Sequence, residues 1–286
     1  LKLATVKYDG EEKAAIIHHD VIFLIETLND MENKNWPSTL FELIAGEHLE
    51  SLEDWYDSVG KSMFERCIAL EKDQIEFAPL YRKPRKIWGV GMNYFDPSHQ
   101  SLEEISYQDP VSFMKPDTTI IGPKDTIQIP HQSTNTTAEA ELAIVIGKEC
   151  RNISQEEAKN VVAGFTTALD MTEASIHAEN QRYLTRAKSF DTFFSFGPEM
   201  VTNKEIKDVS ELTVRTVHNG QMAHQNKVKN MRYNPWFIVS FHSQVMTLLP
   251  GDIILTGTPG AVSIRDENTV EAHIDGFSPL LNRVKQ

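Results

Sequence analysis

At 286 residues, with 40% hydrophobic and 24% charged content, the chain can bury a full core and has the composition of an ordinary globular protein. Its 41 acids against 28 lysines and arginines leave a net charge of −13, which repels polyanions and sets the expectation of no nucleic-acid partner. No run approaches the roughly 20 apolar residues of a membrane span, the opening LKLATVKYDG lacks the regions of a signal peptide, and Cys67 and Cys150 stand in no metal-type spacing, so the expectation is a cytoplasmic protein with free thiols and no membrane partner.

Residues 1–80 read as a small N-terminal α+β domain. KLATVKYDG and EKAAIIHHDVIFLIETL alternate β-branched and polar residues about a Tyr8-Asp9-Gly10 turn, which predicts two or three short strands. PSTLFELIAG and SLEDWYDSVGKSMFERCIALEKD then carry apolar residues at helical spacing, with Pro37 and Ser51 near the predicted starts. Pro79 and Pro84 favour an extended connection, so a second domain, residues 81–286, begins there. In it KIWGVG, VSFMK, TIQIP, ELAIVIG, VVAGFTTALDM, ELTVRTVHNGQ, GDIILTG and TVEAHID read as strands, and SQEEAKN, EASIHAEN and PWFIVSFHSQVM as helices. Strands this numerous, without regular βα alternation, predict a β-rich α+β fold and not a doubly wound sheet.

Three acids stand at the edges of apolar strands. Glu139 and Glu141 precede LAIVIG, and Asp170 closes GFTTALD. Strand residues two apart point to one face, so the two glutamates lie side by side where packing begins, and burial worsens their repulsion. Acids so placed either face water, pair with Lys or Arg, or bind a cation, because an isolated buried carboxylate costs several kcal/mol to desolvate. A set of three carboxylates suits a hard divalent ion, Mg²⁺, Mn²⁺ or Ca²⁺, and disfavours a structural zinc.

The pieces GVGMNY, FMKP, EAELAIVIGKECRNISQEEA, VAGFTTALDMT, RAKSFDTF, GP and LLPGDIILTGTPGAV, in that order, resemble the fumarylacetoacetate hydrolase family over about residues 86–275. The resemblance implies a mixed β-roll domain that usually dimerises, preceded in many members by a small domain. It implies one Mg²⁺ or Mn²⁺ held by Glu139, Glu141 and Asp170. Lys188, in RAKSF, matches the family lysine near the metal, where its cation binds a substrate carboxylate or a developing enolate; a solvated surface lysine is the alternative. Thr258 matches a position that contacts the substrate carboxylate in relatives, although TGTPG is a turn in any protein. Lys115, in FMKP, matches a recurring position that adds positive charge to the cleft or pairs with an acid.

Family members hydrolyse acylpyruvates, decarboxylate oxaloacetate or isomerise unsaturated oxo-acids with this one device. Hydrolysis needs a base for water, and many relatives carry it as N-Y-x-x-H-x-x-E. This chain reads NYFDPSHQSLEE, with His99 two places late. Asp96 and Pro97 suit a helix start, on which His99 and Glu103 are four apart and share a face, so a shifted dyad is geometrically possible; an ordinary polar surface helix is the alternative. After Asp170, Ala174 and Ser175 replace an Arg-Asp pair common in relatives. The leading expectation is a divalent-metal-dependent hydrolase of a C–C bond in a small 1,3-dicarbonyl oxo-acid. Oxaloacetate decarboxylation, oxo-acid isomerisation and a catalytically weak oxo-acid binder are the alternatives.

Overall fold

The computed structural model describes residues 1–19, 21–60, 62, 64, 69–95 and 109–286. It opens with strands β1 (Lys2–Tyr8), β2 (Glu11–His18) and β3 (Val21–Leu24), then helices α1 (Ile25–Glu32), α2 (Leu40–Ala45) and α3 (Leu49–Trp55). Asp9 and Gly10, at φ 51° and 78°, make the hairpin turn between β1 and β2. Helix α1 corrects the expectation of a continued strand: Ile25 and Leu28, three apart, are its buried residues, so the inward stripe has already changed to helical period. Thr39 caps α2 by accepting the Glu42 N–H, which delays the helix past Pro37. Helix α3 begins at Leu49, ahead of Ser51, whose hydroxyl accepts the Trp36 ring N–H at 3.1 Å.

Strands β4 (Leu70–Glu71), β5 (Glu76–Phe77), β6 (Ile87–Gly91), β7 (Val111–Lys115), β8 (Ile120–Ile121), β9 (Thr126–Gln128), β10 (Thr136–Ile146) and β11 (Val162–Glu173) follow, with α4 (Gln155–Val161) between the last two. Then come α5 (Ala174–Glu179), α6 (Leu184–Lys188), β12 (Phe194–Thr202), β13 (Thr213–His218), β14 (Gln221–Lys227), α7 (Pro235–Val245), β15 (Ile253–Leu255), β16 (Ala261–Ser263), β17 (Thr269–Ile274) and β18 (Leu280–Lys285). The sequence pattern does not predict β12, because Gly197-Pro198 reads as a turn; every residue of that strand is buried, and the Gly-Pro bond inside it is cis. Among the described residues no helix is long and apolar enough to cross a membrane.

Two sheets form. The larger, of 13 described strands, runs β4-β3-β2-β1-β12-β11-β10-β15-β6-β7, with β5, β8 and β16 on its side branches; the smaller runs β14-β13-β17-β18-β9. Strand β1 pairs with β12 at Lys2–Ala4, so the N-terminal strands continue the large sheet without a break. Strand β10 separates two cores by alternation. Ala138, Ala140, Leu142, Ile144 and Ile146 face the small sheet, where Val214, Val270, Ala272 and Ile274 meet them. Ala143 and Val145 face the other way, toward Leu40, Leu43, Ile44 and Leu52 of the N-terminal helices. The molecule is thus a helix layer, a large sheet and a small sheet, a β-rich α+β fold as the strand pattern predicts.

Candidate metal centre

Glu139 and Glu141 share the parity of Ala143 and Val145, so both carboxylates leave β10 on the helix-side face, beyond the end of that core. In the antiparallel pairing of β10 with β11, Glu139 stands directly opposite Asp170. A cross-strand pair shares a face, which sets the third acid beside the first two. One carboxylate oxygen from each of the three lies within 4.8 Å of the others. Asp170 is fully buried and Glu141 is 2% exposed, while the Glu139 side chain is 18% exposed and marks the mouth.

Two lysines converge on the triad. Lys115, at the end of β7, donates from Nζ to Asp170 Oδ1 at 2.6 Å and to Met171 O at 3.1 Å. Strand β7 is the far edge of the large sheet, so this contact requires the sheet to curl back over β11, the roll that the resemblance implies. Lys188 closes α6, which packs on both β7 and β11. Its Nζ donates to Glu139 Oε2 at 2.9 Å and to Asp170 Oδ2, and it lies 4.5 Å from the centre of the Phe113 ring. That ring lies against Gly89, where a Cβ would come within 2.2 Å of it. Lys188 is therefore not the solvated surface lysine, and Lys115 is an ion-pair partner inside the site.

A third partner is backbone. The Gly257 N–H donates to Glu141 Oε2 at 2.6 Å, from the loop that leaves β15. Gly257 has φ +99°, and a Cβ there would lie 2.7 Å from Asn93 Cβ and 3.1 Å from Val90 O. Thr258 follows it, but its hydroxyl donates to Gly260 O and accepts the Gly260 N–H, both at 3.1 Å, and so closes its own turn. Glu173 turns away from the triad: its carboxylate accepts from Thr136 Oγ1 at 2.7 Å, Asn135 N–H at 3.2 Å and Ser175 Oγ, and fastens the loop before β10. His99 and Glu103 lie outside the described residues.

The charges respond as the geometry requires. Burial first, then the charges of Asp170 and Glu139, push Glu141 well above the usual carboxylate range, against the Gly257 N–H and Lys188. Burial would raise Asp170 as well, but Lys115 and Lys188 outweigh it and hold it ionised. Burial pulls Lys115 down to about 8 despite Asp170. Lys188 moves up, because three carboxylates outweigh its burial. Burial and two neighbouring carboxylates together disfavour the charged form of Glu141, and a cation at the triad would relieve both. Oxygens at 2.0–2.6 Å from a hard cation are at most about 4–5 Å apart, so the triad also has the right span. The donor set is all oxygen, and these residues fit a divalent ion.

A family model described as fumarylacetoacetate (FAA) hydrolase, C-terminal, matches residues 86–285. The chain belongs to the fumarylacetoacetate hydrolase family. A fumarylacetoacetate hydrolase domain-containing protein 2 homolog of Dictyostelium discoideum is 31% identical over 310 residues, covering 100% of this chain and 97% of its own. A mitochondrial oxaloacetate tautomerase of Xenopus laevis is 33% identical over 247 residues, 83% of this chain and 77% of its own. In three dimensions the chain is similar to maleylpyruvate hydrolase of Sphingobium sp. SYK-6, solved with manganese(II) and pyruvate, at a TM-score of 0.81 and 26% identity, over 100% of this chain and 99% of that one. The family motifs therefore coincide with the cluster that the fold builds around Glu139, Glu141 and Asp170. Motif matching misses the Gly257 N–H, because a backbone donor has no side-chain signature; the TGTPG turn that contains Gly257 is its trace in the sequence.

Proposed function

We propose that this protein is a divalent-metal-dependent enzyme acting on a small 2-oxo acid with a second oxygen function nearby, with Mg²⁺ or Mn²⁺ held by Glu139, Glu141 and Asp170. The observation that carries the reading is the three-carboxylate cluster, with Glu141 and Asp170 buried and Glu139 partly exposed at its edge, met by the buried Lys188. When bound, the ion supplies Lewis acidity that favours enolate character in a chelated oxo-acid. Lys188 is buried beside Glu139, the acid at the mouth, and holds its proton through neutral pH, so it can hold the substrate carboxylate or meet developing negative charge. Lys115 keeps Asp170 ionised and oriented, and the Gly257 N–H does the same for one oxygen of Glu141. Thr258 sits beside Gly257 and offers the substrate its turn.

The first reading is hydrolysis of a C–C bond in an acylpyruvate-like 1,3-dicarbonyl, with His99 and Glu103 activating the water. The second is interconversion of the tautomers of oxaloacetate, which moves a proton and needs no activated water. It is favoured by the 33% identity to an oxaloacetate tautomerase and by the displaced His99. In solution we propose a cytoplasmic homodimer, checked by light scattering.

One experiment separates these readings. Titration of Mn²⁺ into wild type is expected to show a site that Glu141→Ala loses; equal binding in both sinks the metal assignment. With Mn²⁺, release of pyruvate and acetate from acetylpyruvate supports hydrolysis. Decay of the enol absorbance of oxaloacetate without release of CO₂ supports tautomerisation. Binding without turnover of either points to a catalytically weak relative.

A further inference from the structure

Strand β14 ends the small sheet and its residues 221–225 are exposed, yet one of them reaches the loop beside the triad. His224 stands directly opposite Thr216 in the pairing of β13 with β14, so the two side chains share a face. Thr216 Oγ1 donates to Gly260 O at 3.1 Å, and His224 Nε2 meets Ala261 O at 3.2 Å. A carbonyl oxygen only accepts, so Nε2 carries the proton and donates. One cross-strand pair thus grips two consecutive carbonyls of the segment that follows Gly257 and Thr258.

Gly260 makes room for this grip. A Cβ there would lie 2.4 Å from His224 Cγ, and its three nearest atoms would all belong to that imidazole. Gly260 is not among the glycines at positive φ, so its backbone does not require glycine; the seated ring does.

The gripped segment is tied to the triad at both ends. The Gly257 N–H donates to Glu141 Oε2, and Ala261 stands opposite Glu139 where β16 pairs with β10. Between them Thr258 closes its turn onto Gly260, so residues 257–261 form one bonded unit. Strand β16 has only three residues and lies on a side branch of the large sheet, so its ladder alone holds this unit weakly.

We propose that His224 is a positioning residue for the carboxylate cluster. Its ring, seated on Gly260 and bonded to Ala261 O, holds the loop where the Gly257 N–H meets Glu141. This rests on the metal reading above and deepens it, by extending control of the site to an exposed strand of the second sheet.

The test is calorimetric titration of Mn²⁺ into the full chain as wild type, His224→Ala, Gly260→Ala, the double variant and His224→Gln. The Mn²⁺ Kd is expected to rise roughly fivefold in His224→Ala, because displacing an outer partner of a metal ligand weakens metal binding. Gly260→Ala should match it, since the new methyl evicts the ring. The double variant should bind no more weakly than either single one, both changes acting through one contact. His224→Gln places an amide N–H the same number of bonds from the backbone and should return Kd to within about twofold of wild type. Because His224 is exposed, the thermal midpoint of metal-free His224→Ala should stay close to wild type. Wild-type Mn²⁺ affinity in His224→Ala overturns the role of His224 and leaves the metal assignment standing. A double variant whose loss is the product of the two single losses also overturns it, because the contact between ring and glycine would then carry nothing. Should Gly260→Ala fail to fold, His224→Ala against His224→Gln decides alone. Failure of wild type to bind Mn²⁺ overturns the metal assignment and this role with it.

Discussion

A methyl group at position 257 would disturb three things at once. Gly257 holds a positive φ of +99°, leaves an added Cβ only 2.7 Å from Asn93 Cβ and a tight 3.1 Å from Val90 O, and delivers its N–H to Glu141. Gly257→Ala is therefore expected to cost about 1–3 kcal/mol through backbone strain alone, with the close contact adding to it. It should also weaken Mn²⁺ binding, because the loop cannot relax without withdrawing from Glu141. Urea midpoints and Mn²⁺ titrations on the same sample check both; a variant that loses stability but binds Mn²⁺ as wild type would separate the loop from the site. The sequence marks 257 only as one glycine of a turn, and its burden comes from neighbours about 116 and 164 positions away. Residue types alone expose the glutamates, since acids at the head of an apolar strand call for an explanation.

Strand pairing supplies the next level. The antiparallel register of β10 and β11 sets Glu139 against Asp170, and a slip of one residue would send Asp170 to the opposite face. Thr216, buried on β13 of the second sheet, couples this ladder to the loop after β15: its Oγ1 accepts the Ala140 N–H at 3.3 Å and donates to Gly260 O at 3.1 Å. Ala140 lies between the two glutamates, so one hydroxyl links the metal strand to the loop that carries Gly257 and Thr258. Thr216→Val keeps the shape and removes both bonds. It is expected to destabilise the fold by about 1–2 kcal/mol and to raise KM for the oxo-acid more than it lowers kcat, whereas Thr216→Ser should restore both. Thermal melts and steady-state kinetics on the three proteins decide; a Val variant with wild-type KM would make Thr216 a packing residue only. The strand pattern predicts β10, β11 and β15, because runs of Ile, Val and Leu bounded by turns carry the signal. It does not predict β12, whose Gly-Pro pair mimics a turn.

Across the whole molecule, Glu199 joins the N-terminal strands to the rest. It is fully buried on β12 and accepts from Lys2 Nζ at 2.8 Å, Ser278 N–H at 3.0 Å and Ser278 Oγ at 2.7 Å, with Lys72 Nζ at 3.6 Å. Burial opposes its ionisation, but Lys2 and Ser278 outweigh it and hold the carboxyl below the usual range. A group depressed on folding contributes stability above its unfolded value and loses it as pH falls through the folded value. Wild type should thus exceed Glu199→Gln by about 2 kcal/mol at neutral pH, discounting for the partial exposure of both lysines. The gap should close as the pH falls below about 4. Denaturant unfolding from pH 3 to 8 measures it; a pH-independent gap would show that the bonds matter and the charge does not. Continuity of the sheet through β1 and β12 gives this cluster its leverage, since separating the N-terminal strands breaks both the ladder and the ion pairs.

The sequence by itself determined the β-rich α+β class, the family, and the three acids with their chemical character. Those signals are local, resting on period-two apolar runs, turn residues and donor type, and they survive without contacts. Tertiary structure decided how the acids are held. Lys115 reaches Asp170 because the sheet curls, Lys188 arrives on a helix of five residues whose place comes from packing, and Gly257 arrives on a loop. Each partner is distant in the chain, and the free energy of a buried charge depends on which groups surround it and not on which residues precede it.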